Sequence, residues 1–204
     1  MEVYVNEAGE LGYEALNPQT TVTDLINALV QFCQIHIDCT ICRSTCCSGF
    51  IVYADNIFIK NLSNTALRTM DERDSQNLPL RVLKMDRTLK WTVPQNADGK
   101  CKFLSRKGRC LIYEARPLVC RMHTCLKCQP DFKETKDNIY YAYQEALKIE
   151  MKYLLSTGMS PATAEYSCAN PLVGMKNYNA VICDIVKWSQ SMRRIPSTQF
   201  GADS

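Results

Sequence analysis

Nine of the chain's twelve cysteines crowd into two short stretches, and that crowding constrains the fold more than any other feature. Residues 39–47, CTICRSTCC, set Cys39, Cys42, Cys46 and Cys47 as C-x2-C-x3-C-C. Residues 101–128 hold Cys101, Cys110, Cys120, Cys125 and Cys128, the last two again a C-x2-C, while Cys33, Cys168 and Cys183 stand apart. Thiols this dense either pair as disulfides or bind metal. The N-terminus, MEVYVNEAGELGYE, carries acidic residues where an export peptide carries basic ones and lacks an apolar central run. The chain is therefore expected in the cytoplasm, where thiols stay reduced and metal ligation is the better use of them.

A length of 204 residues suits one domain with extensions. The apolar fraction of 46% includes the cysteines, and what remains is enough for a packed core, so disorder is excluded as the default. The longest apolar candidate, Leu25 to Ile37, is broken by Asn27, Gln31, Gln34 and His36. It falls short of the ~20 apolar residues a membrane span needs, and no membrane insertion is expected.

Net charge is only +3, which argues against a dedicated nucleic-acid binder, but the distribution is uneven. Residues 1–40 carry six acidic side chains and no Lys or Arg, whereas residues 81–121 carry eleven basic side chains against three acidic ones. That basic stretch also contains Cys101, Cys110 and Cys120. Metal-bound thiolates carry negative charge that nearby cations stabilise, so the stretch is read as serving the site. A phosphate-tracking surface is the weaker reading, because the interleaved aromatics of a single-strand binder are missing.

Local signals divide the chain further. Asn17-Pro18 closes an irregular or β-like lead-in over residues 1–20. Thr21 and Asp24 then mark a helix start, and Leu25, Ile26, Leu29, Val30, Cys33 and Ile37 recur at helical spacing, delivering the first cysteine group at the helix end. Cys33 lies on this stripe and is read as packing. Asp55 is expected to cap a helix to about Thr69, residues 71–79 to form a loop, and strand-like pieces to lie around 89–93, 102–104 and 110–113, separated by Asp98-Gly99 and Lys107-Gly108 turns. Residues 135–156 form a helix ending at Gly158; a short helix starts at Ser160-Pro161, and a last one runs from Val181 to Met192. The expected architecture is α+β and mostly helical, an irregular cysteine-rich, metal-centred core with short strands flanked by N- and C-terminal helices. Residues 21–192 form a single metal-binding domain, made of a cysteine-cluster region at 39–128 and a helical part at 135–192, and residues 193–204 a mobile tail.

A C-x2-C pair lets two thiolates converge on one metal, and two such pairs make a tetrahedral zinc site. Nine thiols exceed that need. They suit two metal centres, or a four-cysteine [4Fe-4S] cluster with spare residues around it. Arg116 and Arg121 flank Cys120 across Pro117. They are read as cofactor-binding residues that compensate charge and donate N–H groups to cluster sulfur, with a carboxylate pair to Glu114 as the alternative. The tyrosines around Tyr140 fall on a helix and are read as packing.

The second group has the form C-x-F-L followed by G-x-C-x-I-Y-x-x-R-P-x-x-C-R-x-x-x-C. It is met by Cys101, Phe103, Leu104, Gly108, Cys110, Ile112, Tyr113, Arg116, Pro117, Cys120, Arg121 and Cys125. Together with the Cys-Cys ending of the first group, it resembles the YkgJ-type cysteine-cluster proteins, a family associated with zinc or iron chelation. The resemblance covers about residues 39–128 and implies chelation by about eight cysteines. Flagellin lysine methylases share the motif, which implies an iron-sulfur cluster and an association with protein modification. The chain departs from the pattern at His123-Thr124, where the family commonly has Phe-Pro, and His123 becomes a candidate extra ligand or a histidine with no metal role.

Three function classes follow: an iron-sulfur protein passing electrons to a protein partner or acting as its accessory subunit, a metal-dependent protein-modifying enzyme, and a structural zinc module. The eight glycines form neither GxGxxG nor a P-loop, which weighs against the enzyme. The first class is preferred.

Overall fold

The computed structural model describes residues 1–14, 16–37, 47–48, 51–67, 83–85, 90–105, 108, 110–158 and 169–194. In chain order its elements are β1 (Val3–Val5), β2 (Leu11–Tyr13), α1 (Val22–His36), β3 (Val52–Tyr53), α2 (Asn56–Leu67), β4 (Lys84–Met85), β5 (Trp91–Val93), a 3-10 turn (Tyr113–Ala115), α3 (Leu118–Arg121), α4 (Pro130–Thr157) and α5 (Ile182–Arg193). The fold is α+β, and it separates into two compact units. One joins Met1–Leu25 to Cys128–Ser204, and the other is Ile26–Lys127.

In the first unit, β1 and β2 pair antiparallel, with Val3 opposite Tyr13 and Val5 opposite Leu11. Their turn is built by Asn6, whose Oδ1 accepts from the N–H of Ala8 at 3.0 Å and of Glu10 at 2.8 Å, the local bonding that makes Asn a turn residue. The lead-in thus contains a hairpin. Helix α4 begins with Pro130 at its first position and ends where the N–H of Gly158 bonds to Leu154 O at 2.8 Å. It starts five residues before the expected Thr135, because the charged first turn (Asp131, Lys133, Glu134) hides the apolar period that Phe132 begins.

Helix α4, whose buried face includes Ile139, Ala142, Tyr143, Ala146 and Leu147, packs on α5, where Ile182 and Ile185 are fully buried, and its Phe132 stands edge-on to the Tyr13 ring of β2. Ser189 Oγ donates to Asn138 Oδ1 at 2.8 Å inside this interface, so the two buried polar side chains satisfy part of each other's need. Backbone bonds stitch the start of α1 to the start of α5: Val22 N donates to Ala180 O at 2.9 Å, Thr23 N to Tyr178 O at 2.8 Å and Ile182 N to Thr20 O at 2.9 Å.

Helix α1 opens with a reciprocal cap, Thr21 N donating to Asp24 Oδ2 at 2.9 Å and Asp24 N to Thr21 Oγ1 at 3.2 Å. Its first turn belongs to the first unit and the rest to the second. Val22, Leu25, Ile26, Leu29 and Phe32 form its buried stripe.

The second unit has a three-stranded antiparallel sheet in the order β3-β5-β4, with Val52 opposite Val93 and Lys84 opposite Thr92. Asp55 caps α2 as expected, its Oδ1 accepting from Phe58 N at 2.6 Å. Val52, Ala54, Phe58, Leu62, Leu83, Val93, Ile112 and Ala115 form one buried cluster. Two of the expected strand-like pieces are not strands. Residues 102–103 form a turn, and Cys110 pairs at a single bridge before the chain coils into the 3-10 turn, because Gly99 and Gly108 reverse the chain too often for a ladder to extend. The expected loop at 71–79, the helix after Ser160-Pro161 and residues 195–204 of the expected tail lie outside the described residues. Among the described residues, no helix is long and apolar enough to cross a membrane.

Candidate metal centre

Two tight turns carry the first thiols of the second cysteine group. In the first, Asn96 N donates to Lys100 O at 2.7 Å and Gly99 N to Asn96 O at 3.0 Å, which sets Cys101 opposite Gln95. In the second, Gly108 N donates to Ser105 O at 3.0 Å, and Leu104 pairs with Cys110. Each turn places a glycine in the left-handed region, Gly99 at φ +76 and Gly108 at φ +74, which a side chain would disfavour. Cys101 N also donates to Cys47 O at 2.6 Å, beside a bridge between Ser48 and Lys100. The backbone therefore ties the end of the first cysteine group to the start of the second.

Cys120 arrives by another route. Pro117 is buried and precedes α3; Leu118, which opens that helix, and Met122, which follows it, are fully buried on either side of Cys120. Cys101, Cys110 and Cys120 are all half-buried and pack against the same apolar cluster of the second unit. The donor chemistry fits zinc or an iron-sulfur cluster, since both take soft thiolates on turns and short helices. Cys39, Cys42 and Cys46 lie outside the described residues. Among the described residues, no three His, Cys, Asp or Glu side chains close on a common point.

Cys125 is exposed in the second unit. Cys128 falls in the first unit, where its backbone bridges Leu11 and its Sγ accepts from Lys136 Nζ at 3.7 Å. Lys136 is a cation on a thiol that sequence reasoning missed. It lies outside the basic stretch, and its signal is only its place in the first turns of α4, eight residues after Cys128. His123 is half-buried.

Four described cations of the basic stretch, Lys90, Lys100, Arg116 and Arg121, have partners other than a thiol sulfur. Lys100 pairs with Asp98 at 3.1 Å, and Lys90 is buried with its Nζ 4.6 Å from the centre of the Tyr53 ring. Arg116 Nε donates to Tyr113 O at 3.0 Å and Nη1 to Cys120 O at 3.5 Å. Arg121 Nε donates to Arg116 O at 2.6 Å, and its Nη2 to the carbonyl oxygen of Glu114. These hydrogen bonds end on backbone carbonyls.

The CxxCxxCC family model, described as a putative zinc- or iron-chelating domain, matches residues 38–146, more than half of the chain. The chain belongs to the CxxCxxCC family. The match takes in both cysteine groups and the part of α4 that ends at Ala146, and it agrees with the resemblance carried by the cysteine motifs. Where the CxxCxxCC name has two residues between its second and third cysteines, this chain has three, Arg43, Ser44 and Thr45. Comparison with curated proteins and with solved structures finds no match.

Proposed function

We propose that this CxxCxxCC protein is a cytoplasmic iron-sulfur protein that passes electrons to a protein partner, or serves as the accessory subunit of a redox or protein-modification system. The observation that carries this is the donor set, nine clustered thiols where one tetrahedral zinc ion takes four. Cys39, Cys42, Cys46, Cys47, Cys101, Cys110, Cys120, Cys125 and Cys128 are the proposed ligands of one or two centres, a [4Fe-4S] cluster first among them. Such a cluster supplies one-electron chemistry at a potential set by its surroundings. What the chain's own residues contribute is placement. The two glycine turns and α3 hold Cys101, Cys110 and Cys120 on one apolar cluster, and the Cys47–Cys101 bond joins the two groups. An apolar floor beneath the thiols keeps water from that side of the centre.

Protein purified without oxygen is expected to be brown and to carry iron and acid-labile sulfide. The family description also names zinc, and a colourless preparation with stoichiometric zinc and no sulfide would replace the iron reading with a structural zinc module.

A further inference from the structure

We infer that Arg116 and Arg121 are positioning residues that fix the direction of Cys120 by clamping backbone carbonyls, rather than by neutralising metal-bound sulfur. The inference rests on the reading of Cys120 as a metal ligand. The segment that carries Cys120 is one 3-10 turn, a proline and the four residues of α3, too short for helical cooperativity to hold it. Its own backbone supplies few bonds: Ala115 N to Ile112 O at 2.9 Å, Cys120 N and Arg121 N to Pro117 O at 3.0 and 3.1 Å, and Met122 N to Leu118 O at 3.0 Å.

The two guanidinium groups add four more. Arg116 joins the carbonyl of Tyr113, at the start of the turn, to that of Cys120 itself, and its Cζ lies 3.8 Å from the centre of the Tyr113 ring. Arg121 joins the carbonyls of Glu114 and Arg116. Arg121 thus holds the Arg116 carbonyl while Arg116 holds that of Cys120, next to Arg121, and together they tie the turn, Pro117 and α3 into one body. With Leu118 and Met122 fully buried beneath, Cys120 is left one orientation on the rim of the apolar cluster. Only a planar fork of several donors can span two carbonyls and stack on a ring. A lysine carries the same charge but gathers its donors on one nitrogen, without the planar fork that reaches two separate carbonyls or stacks flat on a ring.

That difference makes the test. Arg116→Lys, Arg121→Lys and Cys120→Ser are compared with the wild type by two measurements, cobalt(II) titration of the metal-free protein and amide exchange without metal. Each lysine variant is expected to bind cobalt about tenfold more weakly, the lower end of what losing a group that orients a ligand costs. The intensity of its thiolate-to-cobalt charge-transfer band should fall to that of Cys120→Ser. Amides of Cys120, Arg121 and Met122 should exchange faster, while Ile139 and Ala142 in α4 keep their protection. The double lysine variant should be no worse than the worse single one, because Arg121 bonds to the Arg116 carbonyl and both clamps hold the same short segment.

Wild-type cobalt affinity, band intensity and exchange in both lysine variants would overturn the inference, since charge alone would then suffice. A wild-type protein that takes up no cobalt would overturn the metal reading instead, and unchanged exchange in the variants would still overturn the clamp. Should Arg116→Lys also release α4, Arg121→Lys decides.

Discussion

Asp24 and Asp55 both brace helix starts, at α1 and α2. Bonds from the Thr21 backbone N–H, then from its hydroxyl, hold the Asp24 carboxyl below its ordinary value of 3.8. A carboxylate lowered in the folded state adds stability above its unfolded value and loses it as pH falls through the folded one. Asp24→Asn should therefore be less stable than wild type at neutral pH, with the gap closing as pH drops below 3.8, as followed by urea unfolding. A gap that stays constant would mean that the charge contributes nothing. Asp55 is buried and accepts from Phe58 N, so Asp55→Ala should cost about 1–2 kcal/mol in the same assay. Among the thiols, serine at Cys42, Cys46, Cys110 or Cys120 should release metal, and serine at Cys33 or Cys183 should not. Cys33 and Cys183 lie within α1 and α5, and metal analysis of each variant reads the contrast.

At the scale of elements, what could be read from the sequence was what repeats or caps. Helix α1 announced itself through Thr21, Asp24 and an apolar stripe, α2 through Asp55, and the end of α4 through Gly158. Helix α3 was invisible, because four residues are too few to show a period. The destinations of Arg116 and Arg121 were equally hidden, because a backbone carbonyl leaves no mark in a sequence; only a charge partner could be guessed. The Asp98-Gly99 turn was legible, and it makes its own prediction. A Cβ at Gly99 would meet nothing within 4 Å, so Gly99→Ala should act through backbone strain alone. That strain is about 1–2 kcal/mol at a left-handed position, measurable by chemical denaturation, and Cys101 sits two residues away to feel it in metal retention.

For the molecule as a whole, the division at Lys127 and Cys128 separates two ways of being stable. The first unit buries α4 against α5, whereas the second rests on eight buried apolar residues rimmed by thiols. Where ligands and fold share a unit, metal affinity is folding free energy. Stripping the metal with a chelator should therefore raise amide exchange at Cys101 and Leu104 and leave Ile139, Ala142 and Ile185 unchanged; equal loss of protection in both sets would contradict it. The bonds from Thr20, Val22 and Thr23 to residues 178–182 add a consequence in time. They close a loop of residues 24–177, and their later partners are synthesised after the whole of residues 26–127. Chains fold in the order they emerge. Residues 26–127, with eight of the nine clustered cysteines, are therefore expected to begin folding before the bonds that close the first unit can form.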